Sequence, residues 1–255
     1  MQYLTIGHLW WQFLIFALCS YLIGNINFAV IISLIKKKDI RKLGSGNPGT
    51  LNMSRNFGLG IGVLTLVLDI FKGALPTLVA MLVYDKFYFN GTQLHVGMVA
   101  KVMCGFFAVL GHVFPVFMKF KGGKGIATTI GVFAVCSPKI ALISGIIAIV
   151  FIFITEVGAM GSFIATTPPA FATCLWVYES YIQNQIVSTT QVFVAVISNI
   201  FVISIIFLTW YAHRQNIKRL MAGEEHPTNW LQMVRESLIK RKLKKEKQNI
   251  EEKNS

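Results

Sequence analysis

The sequence predicts an all-α protein that crosses a membrane seven times, with its N-terminus outside the cell and its C-terminus in the cytoplasm. Three observations lead to this prediction: the composition, seven apolar segments and the distribution of positive charge. Hydrophobic residues make up 54% of the 255 residues, charged residues only 14%, and the mean hydropathy is +0.60. An ordinary soluble domain has about 25% charged residues, and a chain of this length has too small a core for so much apolar surface. The composition therefore argues against a soluble enzyme.

Seven apolar segments are candidates for crossing the roughly 30 Å of hydrocarbon in a bilayer. They comprise residues 9–35, 58–84, 95–117, 125–136, 140–155, 158–178 and 191–212. The fourth is short for a full crossing, and Pro138 separates it from the fifth because proline ends or kinks a helix. The alternative is that the fourth and fifth segments form one long helix, which would leave six spans.

Positive charge decides between these topologies, since cytoplasmic loops are enriched in Lys and Arg. With seven spans and an external N-terminus, residues 36–57, 118–124, 156–157 and 213–255 lie inside. They hold 6, 3, 0 and 11 of the 24 Lys and Arg residues. Six spans would put the last basic cluster on the opposite side from the first. A net charge of +13 would also suit nucleic acid, but its position between apolar runs favours a membrane and no nucleic acid.

The chain divides into a membrane domain over residues 1–225 and a basic cytoplasmic tail over residues 226–255. Apolar residues recur in the tail at roughly helical spacing among many Lys residues, namely Trp230, Leu231, Val234, Leu238 and Ile239. This pattern is typical of a helix that lies on an anionic membrane surface. A disordered basic tail would explain the composition equally well.

The first polar motif lies in the predicted inside segment between the first two spans. Residues 44–58 read GSGNPGTLNMSRNFG. Glycines permit positive φ angles and close backbone approach, so successive N–H groups can point at one anion. Ser45 and Asn47 add short donors, and the Arg55 guanidinium matches phosphate oxygens. A simple turn does not need this concentration of polar groups, so the motif predicts an anion site.

The second motif, residues 111–129, reads GHVFPVFMKFKGGKGIATT. Its KGGKG stretch precedes a span, where backbone amides and a helix N-terminus favour an anion and two ammonium groups neutralise it. The spacing differs from that of a Walker A loop. His112, one helical turn before the loop, is either a donor that faces a ligand or an imidazole bonded to a carbonyl at a helix end.

The third motif follows the last span and reads HRQNIKRLMAGE over residues 213–224. If the helix continues, His213, Asn216 and Leu220 share one face. That face either points inward and completes a site, or points outward as part of a stop-transfer cluster. The spacing leaves both possibilities open.

Other charged groups bear on the chemistry. Asp69 and Lys72 are three residues apart in the second span, which predicts an ion pair with a structural role. The sequence has no carboxylate pair suited to Mg²⁺ and no His, Cys and Asp cluster at metal spacing, so we expect no metal and no other cofactor. It also lacks an HxxxxD general-base pair. Catalysis would then depend on anion binding, positioning and an already activated substrate.

Taken together and in order, the three motifs resemble those of the bacterial membrane glycerol-3-phosphate acyltransferases that use acyl-phosphate, known as PlsY. The resemblance covers about residues 21 to 225. It rests on the residues that match the family's motifs, namely Asp39-Ile40-Arg41, residues 44–47, Asn52, Arg55, Gly58, Gly111-His112, Phe114-Pro115, residues 120–128, Asp69, Lys72, Gly73, His213-Arg214, Asn216-Ile217, Arg219-Leu220, Gly223 and Glu224.

The resemblance implies transfer of an acyl group from acyl-phosphate to the 1-hydroxyl of sn-glycerol 3-phosphate, giving lysophosphatidic acid and phosphate in the first step of phospholipid synthesis. It also implies seven helices in the bacterial plasma membrane, a cytoplasmic active site, and membrane lipids and these two substrates as partners. Because acyl-phosphate carries a good leaving group, we expect a substrate phosphate to accept the proton.

The resemblance also assigns roles by position. The catalytic residues would be Ser45, Arg55, His213 and Asn216. Substrate binding would fall to Gly44, Gly46, Asn47, Asn52, Lys121, Gly122, Gly123, Lys124 and Gly125. Structural roles would fall to Asp69, Lys72 and Glu224.

The sequence departs from the family at residues 24–27, at Thr50-Leu51 and, most notably, before the sixth span, and two alternative functions remain. Before the sixth span, Glu156 and Ala159 stand where the family tends to have Arg and Ser, so Ser162 or a water would have to replace a hydroxyl that contacts substrate. The first alternative function is a transporter for a phosphorylated solute, suggested by Lys101 within a span. Against it, the chain has no internal repeat or matched broken segments, and its polar motifs gather at one face. A non-catalytic lipid-binding scaffold would hardly need two anion loops.

Overall fold

The computed structural model describes residues 2–4, 6–90, 95–182, 188–225 and 227–253. Helices dominate the described chain: α1 (Ile6–Asn25), α2 (Phe28–Ile35), α3 (Thr50–Phe57), α4 (Leu59–Tyr84), α5 (Val96–Val113), α6 (Ile126–Cys136), α7 (Pro138–Thr155), α8 (Gly158–Ile182), α9 (Thr189–Ala212), α10 (Arg214–Met221) and α11 (Trp230–Lys253). Short 3-10 turns cover Ile40–Lys42 and Val116–Met118. Two three-residue strands that the sequence did not predict, β1 (Gln2–Leu4) and β2 (Phe87–Phe89), pair in parallel.

Five stretches of the described chain are helical, long and apolar enough to cross a membrane: Trp10–Ile35, Leu59–Tyr84, Val96–Met118, Pro138–Thr155 and Thr189–Ala212. Their outward faces carry large apolar side chains that are more than half exposed, among them Leu14, Leu82, Ile154 and Phe207. A bilayer would cover such a surface, which is rare on a soluble monomer. The prediction of a mostly helical membrane protein is confirmed, and the count of seven spans stays a prediction.

Two further helices occupy the positions of the fourth and sixth predicted spans. α6 is a short apolar helix of 11 residues, and α8 has 25 residues with Pro168 and Pro169 inside it. α6 and α7 are separate, so the alternative of one long helix is wrong. Ser137 leaves the helical conformation between them (φ −143°, ψ 67°), and Pro138 begins α7, where its missing N–H has no intrahelical partner to lose.

The first predicted span is broken at Ile26 and Asn27. The Asn27 side chain caps α2 by accepting a hydrogen bond from the Val30 N–H at 3.0 Å. The break leaves the Ile26 carbonyl outside a helix, and Lys72 Nζ on α4 donates to it at 2.7 Å. A buried lysine from one helix thus satisfies a backbone acceptor in another, as the membrane interior requires.

Glycines set the distance between the central helices. A Cβ on Gly131 of α6 would overlap the Ile70 carbonyl of α4, and a Cβ on Gly111 of α5 would overlap the Tyr21 carbonyl of α1. Small residues allow this close approach in membrane bundles, where van der Waals packing drives helix association. α5 lies at the centre, with 83% of its span buried within the protein. Its C-terminal end therefore carries the second motif to the middle of one end of the bundle.

We expect Gly131→Ala to lower the free energy of unfolding by about 1–3 kcal/mol, because the new methyl group would overlap a backbone carbonyl that cannot rotate away. Gly145→Ala in α7 is the matched control, since no heavy atom lies within 4 Å of its Cβ position. Because alanine has a higher helix propensity than glycine, Gly145→Ala should leave the free energy of unfolding unchanged or raise it by up to about 1 kcal/mol. Thermal unfolding in one detergent measures both variants, and equal unfolding temperatures would contradict the close α4–α6 contact.

Candidate active site

The first motif folds into a turn that is organised by the buried side chain of Asn52. Gly44 and Gly46 adopt positive φ angles of 55° and 68°, which glycine takes without strain. Asn52 Nδ2 donates to the Asn47 carbonyl at 3.1 Å, and Asn52 Oδ1 accepts from the Ser45 N–H at 3.3 Å. Only 3% of Asn52 is exposed. In this geometry Asn52 supports the turn, and its role in substrate binding stays a prediction.

Two backbone amides of this turn donate to acceptors within it, whereas the glycine pattern predicts amides that point at an anion. The Gly46 N–H donates to the Leu43 carbonyl at 3.0 Å, and the Asn47 N–H donates to Ser45 Oγ at 3.4 Å. The Ser45 side chain only accepts in that bond, and Ser45 is exposed. The first motif therefore offers a ligand mainly its side chains, above all the Ser45 hydroxyl and the Arg55 guanidinium.

Arg55, at the end of α3, contacts a segment that follows the third motif. Its Nη2 donates to the carbonyls of Pro227 at 2.9 Å and Thr228 at 3.4 Å. The Thr228 N–H donates in turn to the Glu156 carbonyl at 2.9 Å. Among the described residues, these bonds engage one nitrogen of Arg55 and leave Nε and Nη1 available for an anion.

In the second motif, two amides of the KGGKG loop bond to the end of α5. The Gly122 N–H donates to the Val113 carbonyl at 3.1 Å, and the Gly123 N–H donates to the His112 carbonyl at 3.2 Å. These two amides are therefore engaged within the protein, and substrate binding by Gly122 and Gly123 stays a prediction. Gly125, with a φ of 82°, leads into α6, so the N–H groups available to a ligand are those at the start of α6, where the helix dipole favours negative charge.

The structure distinguishes the two lysines of this loop. Lys121 is exposed, whereas Lys124 is partly buried beside the third motif. Burial lowers the pKa of Lys124 to about 8; the nearby Glu225 carboxylate opposes this shift, and the positive charges of Arg219 and Arg55 add to it. Lys124 thus belongs to a group of three cations and one carboxylate, which we call the cation cluster.

His213 lies at the junction of α9 and α10 with only 2% of its surface exposed. Its Nδ1 is 2.9 Å from the Thr209 carbonyl. Because a carbonyl can only accept, we assign the ring proton to Nδ1 and the lone pair to Nε2. Burial, together with the charge of Lys124, lowers the pKa of His213 to about 4. The ring is therefore neutral at pH 7, with Nε2 as a hydrogen-bond acceptor.

Asn216 and Arg219 on α10 share one carboxylate, which belongs to Glu225. Asn216 Nδ2 donates to Glu225 Oε1 at 2.7 Å, and Arg219 Nε donates to Glu225 Oε2 at 3.1 Å. Glu224, for which a structural role was predicted, is exposed. The chain turns at Gly223 (φ 70°) after α10 ends, and this turn brings the second of two successive glutamates back to the helix. The adjacent acidic pair was visible in the sequence, but its spacing could not show which member turns inward.

The structure brings together parts of all three motifs. Lys124 lies close enough to Arg55, Arg219 and Glu225 for their charges to act on it, and His213 is affected by Lys124. The inward orientation of the third motif is therefore the one observed. In the described chain, no hydrogen bond or ion pair joins Ser45 to this cluster. The sequence prediction had missed Glu225 and residues 227–228.

The departures before the sixth span lie beside this cluster. Glu156 ends α7 with a φ of 58° and supplies the carbonyl to which Thr228 donates. Ala159 is buried. The Ser162 hydroxyl donates to the Gly158 carbonyl at 2.9 Å, so its proton is used within α8.

Below the second motif, Asp69 and Lys72 form the predicted ion pair, with 3.0 Å between Oδ1 and Nζ. His112 is buried next to the pair, and its Nδ1 has no hydrogen-bond partner in the part of the chain that is described. The sequence analysis left two possibilities for His112, a donor that faces a ligand or a ring bonded to a carbonyl. In the described chain, the Nδ1 atom fits neither of them. Within the described residues, no three His, Cys, Asp or Glu side chains form a group that could hold a metal ion.

Comparison with known proteins identifies the family to which this chain belongs. The sequence profile described as Glycerol-3-phosphate acyltransferase matches residues 14–223. Glycerol-3-phosphate acyltransferase 2 of Bacillus anthracis is 34% identical over 208 residues, which are 81% of this chain and 94% of the relative. The glycerol-3-phosphate acyltransferase of Mycoplasma mobile is 37% identical over 222 residues, which are 82% of this chain and 89% of the relative.

Two crystal structures of PlsY (YgiH), an integral membrane glycerol 3-phosphate acyltransferase, are similar in fold. The glycerol 3-phosphate form has a TM-score of 0.68 at 31% identity and covers 88% of this chain and 98% of the other. The lysophosphatidic acid form has a TM-score of 0.67 with the same identity and coverage. The profile match takes in Arg55, Lys124 and His213, on which the site is built. The chain therefore belongs to the glycerol-3-phosphate acyltransferase family.

Proposed function

We propose that this protein transfers an acyl group from acyl-phosphate to the 1-hydroxyl of sn-glycerol 3-phosphate and releases lysophosphatidic acid and inorganic phosphate. The observation that carries the proposal is that Arg55, Arg219 and Glu225 lie close enough to Lys124 for their charges to act on it, with Arg219 bonded to Glu225 at 3.1 Å. Three cations and one anion leave a net positive site that suits a phosphate dianion. The related PlsY structures, in glycerol 3-phosphate and lysophosphatidic acid forms, support the same substrate and product.

The residues divide the work as follows. Arg55 and Lys124 bind phosphate oxygens, with the free amides at the start of α6. Nε2 of His213 accepts a hydrogen bond from a hydroxyl of glycerol 3-phosphate, because Nδ1 is already committed to the Thr209 carbonyl. Asn216, fixed by Glu225 through Nδ2, retains Oδ1 as an acceptor. The Ser45 hydroxyl, whose proton is not used in the bond with the Asn47 N–H, donates to the reacting groups of the substrates.

The reaction joins the 1-hydroxyl oxygen to the acyl carbon and breaks the bond between that carbon and the phosphate oxygen. The leaving phosphate takes the electron pair, and a phosphate oxygen of either substrate takes the hydroxyl proton. His213 is a weak base, since its pKa is lowered to about 4. This supports the substrate-assisted proton transfer over direct base catalysis by the imidazole.

We also propose that the chain crosses the bacterial plasma membrane seven times, with the N-terminus outside and the site facing the cytoplasm. Three of the four predicted inside segments meet directly at one end of the bundle: Arg55 contacts Thr228, and Thr228 contacts Glu156. The fourth segment reaches the same end through Lys124. Three of these four segments, residues 36–57, 118–124 and 213–255, hold 20 of the 24 Lys and Arg residues, as cytoplasmic loops should.

The transporter alternative loses its main support in this structure. Lys101, the charge within a span that suggested it, lies with Nζ 4.3 Å from the centre of the Trp176 ring. An ammonium group stabilised by an aromatic face needs no transported anion to explain its presence. We therefore favour the acyltransferase over transport of a phosphorylated solute.

We expect the purified protein in detergent to release phosphate from a long-chain acyl-phosphate only when glycerol 3-phosphate is added, and to form lysophosphatidic acid without added metal. Ser45→Ala should lower kcat about 100-fold, the usual cost of losing one transition-state donor. Ser180→Ala, which removes a partly buried hydroxyl that donates to the Trp176 carbonyl near the end of α8, should retain full activity. No turnover with acyl-phosphate, acyl-coenzyme A or acyl carrier protein donors would contradict the proposed function.

The KM for glycerol 3-phosphate should rise as the pH passes from 7 to 10. Lys124, with its pKa lowered to about 8, is charged below that pH and loses its charge above it, while the substrate phosphate is already a dianion above about pH 7. Lys124→Arg should flatten the rise, because a guanidinium stays charged. Lys121→Arg is the control and should keep the wild-type profile; a flat wild-type profile would argue against phosphate binding by Lys124.

Glu225→Gln should lower the free energy of unfolding by about 1–3 kcal/mol, since it weakens two charge-assisted hydrogen bonds, and should reduce kcat/KM as Asn216 loses its orientation. Glu224→Gln, which neutralises the exposed neighbour, should behave as wild type in both measurements. Thermal unfolding and steady-state kinetics on the two variants test this assignment. A larger defect in the Glu224 variant would show that the turn at Gly223 presents the other carboxylate.

A further inference from the structure

The Asp69–Lys72 ion pair is anchored on two elements of the bundle. Both side chains lie on α4 and are almost completely buried, with side-chain exposures of 4% for Asp69 and 1% for Lys72. Lys72 Nζ also donates to the Ile26 carbonyl at the break between α1 and α2, at 2.7 Å. The carboxylate of Asp69 is therefore held in place by the Lys72 ammonium, which is itself bonded to the backbone at the break between α1 and α2.

The imidazole of His112 fills the space between this carboxylate and the KGGKG loop. One edge of the ring faces the ion pair, with Nδ1 at 4.0 Å from Asp69 Oδ1. The opposite edge meets Gly123: a Cβ at that residue would overlap Nε2 and would lie 3.0 Å from Cε1 and 3.2 Å from Cδ2. His112 is 5% exposed. The ring is thus confined on both edges.

His112 contacts Gly123 a second time through its backbone, since its carbonyl accepts the Gly123 N–H at 3.2 Å. The residue after Gly123 is Lys124, the loop lysine that belongs to the cation cluster. Any shift of Gly123 would therefore move both the Lys124 ammonium and the free amides at the start of α6.

We propose that His112, supported by the Asp69–Lys72 pair, is a positioning residue for the phosphate-binding loop. The imidazole acts as a rigid spacer that sets the position of Gly123 and, through it, of Lys124, without contacting the reacting atoms. The inference rests on the phosphate-binding role proposed above for this loop.

The test is a cycle of His112→Ala, Gly123→Ala and the double variant, with KM, kcat and the Kd for glycerol 3-phosphate as readouts. Each single variant should raise KM and Kd about 10-fold with a smaller change in kcat, because His112→Ala removes the spacer and Gly123→Ala pushes the loop away from it. The double variant should bind better than Gly123→Ala alone, since the new methyl group can occupy space that the ring has left.

Gly122→Ala supplies the matched control. Its Cβ would overlap the His112 carbonyl and lie 2.6 Å from Pro115 Cδ, not the imidazole. Truncating the His112 side chain therefore cannot relieve this overlap, and the effects of Gly122→Ala and His112→Ala on KM should multiply. If His112→Ala does not fold, as judged by size-exclusion profile and unfolding temperature, His112→Asn takes its place in the same cycle.

The proposal would be overturned if the effects of His112→Ala and Gly123→Ala on KM multiplied in the double variant. A fall in kcat at unchanged KM in the His112 variant would overturn it as well. The two readouts keep this inference separate from the proposed function. Absence of acyl transfer by the wild type contradicts the function, whereas the pattern of Kd across the variants decides on His112 alone. A wild-type protein that bound no glycerol 3-phosphate would overturn both.

Discussion

Direct contact between helix backbones, at positions that only glycine can occupy, is the constraint on which the rest of this structure depends. Gly111 and Gly131 place carbonyls of α1 and α4 against α5 and α6. Because apolar side chains gain little from leaving lipid for protein, such close van der Waals contact is what holds a membrane bundle together. It also fixes the α5–α6 connection, and with it the KGGKG loop, at one end of the bundle. A wider spacing would leave His112 without contact to Gly123.

At one end of this bundle, the site brings three positive charges close together. Arg55, Lys124 and Arg219 come from three separate parts of the chain, and like charges that approach in a partly buried place repel each other. Glu225 offsets part of that repulsion and orients Arg219 and Asn216 at the same time. The remaining excess of positive charge suits the phosphate of the proposed substrate, and burial together with the charges of Arg219 and Arg55 lowers the pKa of Lys124 to about 8.

In the glycine-rich motifs, several backbone amides hold the turns in shape, whereas the composition suggested that they would point at an anion. The amides of Gly46, Gly122 and Gly123 bond to neighbouring carbonyls and shape the turns. Glycine is needed there because the chain must take a positive φ, or must pass directly against other backbone or a ring, which a side chain would prevent. The groups that remain free for an anion are side chains and the amides at the start of α6. In the proposed phosphate site, most amides of the KGGKG loop thus serve the loop's own conformation.

The sequence by itself determined the membrane class, the helix break at Pro138, the Asp69–Lys72 pair and the residue types of the site. These depend on composition, on local backbone preference and on neighbours one helical turn apart. Only the tertiary structure decided that Asn52 supports a turn, that Glu225 and not Glu224 holds α10, that Lys124 and not Lys121 joins the cluster, and that residues 227–228 contact Arg55. The direction of an amide or a carboxylate depends on partners brought close by packing, up to 173 residues away in the case of Arg55 and Thr228, and no local spacing encodes it.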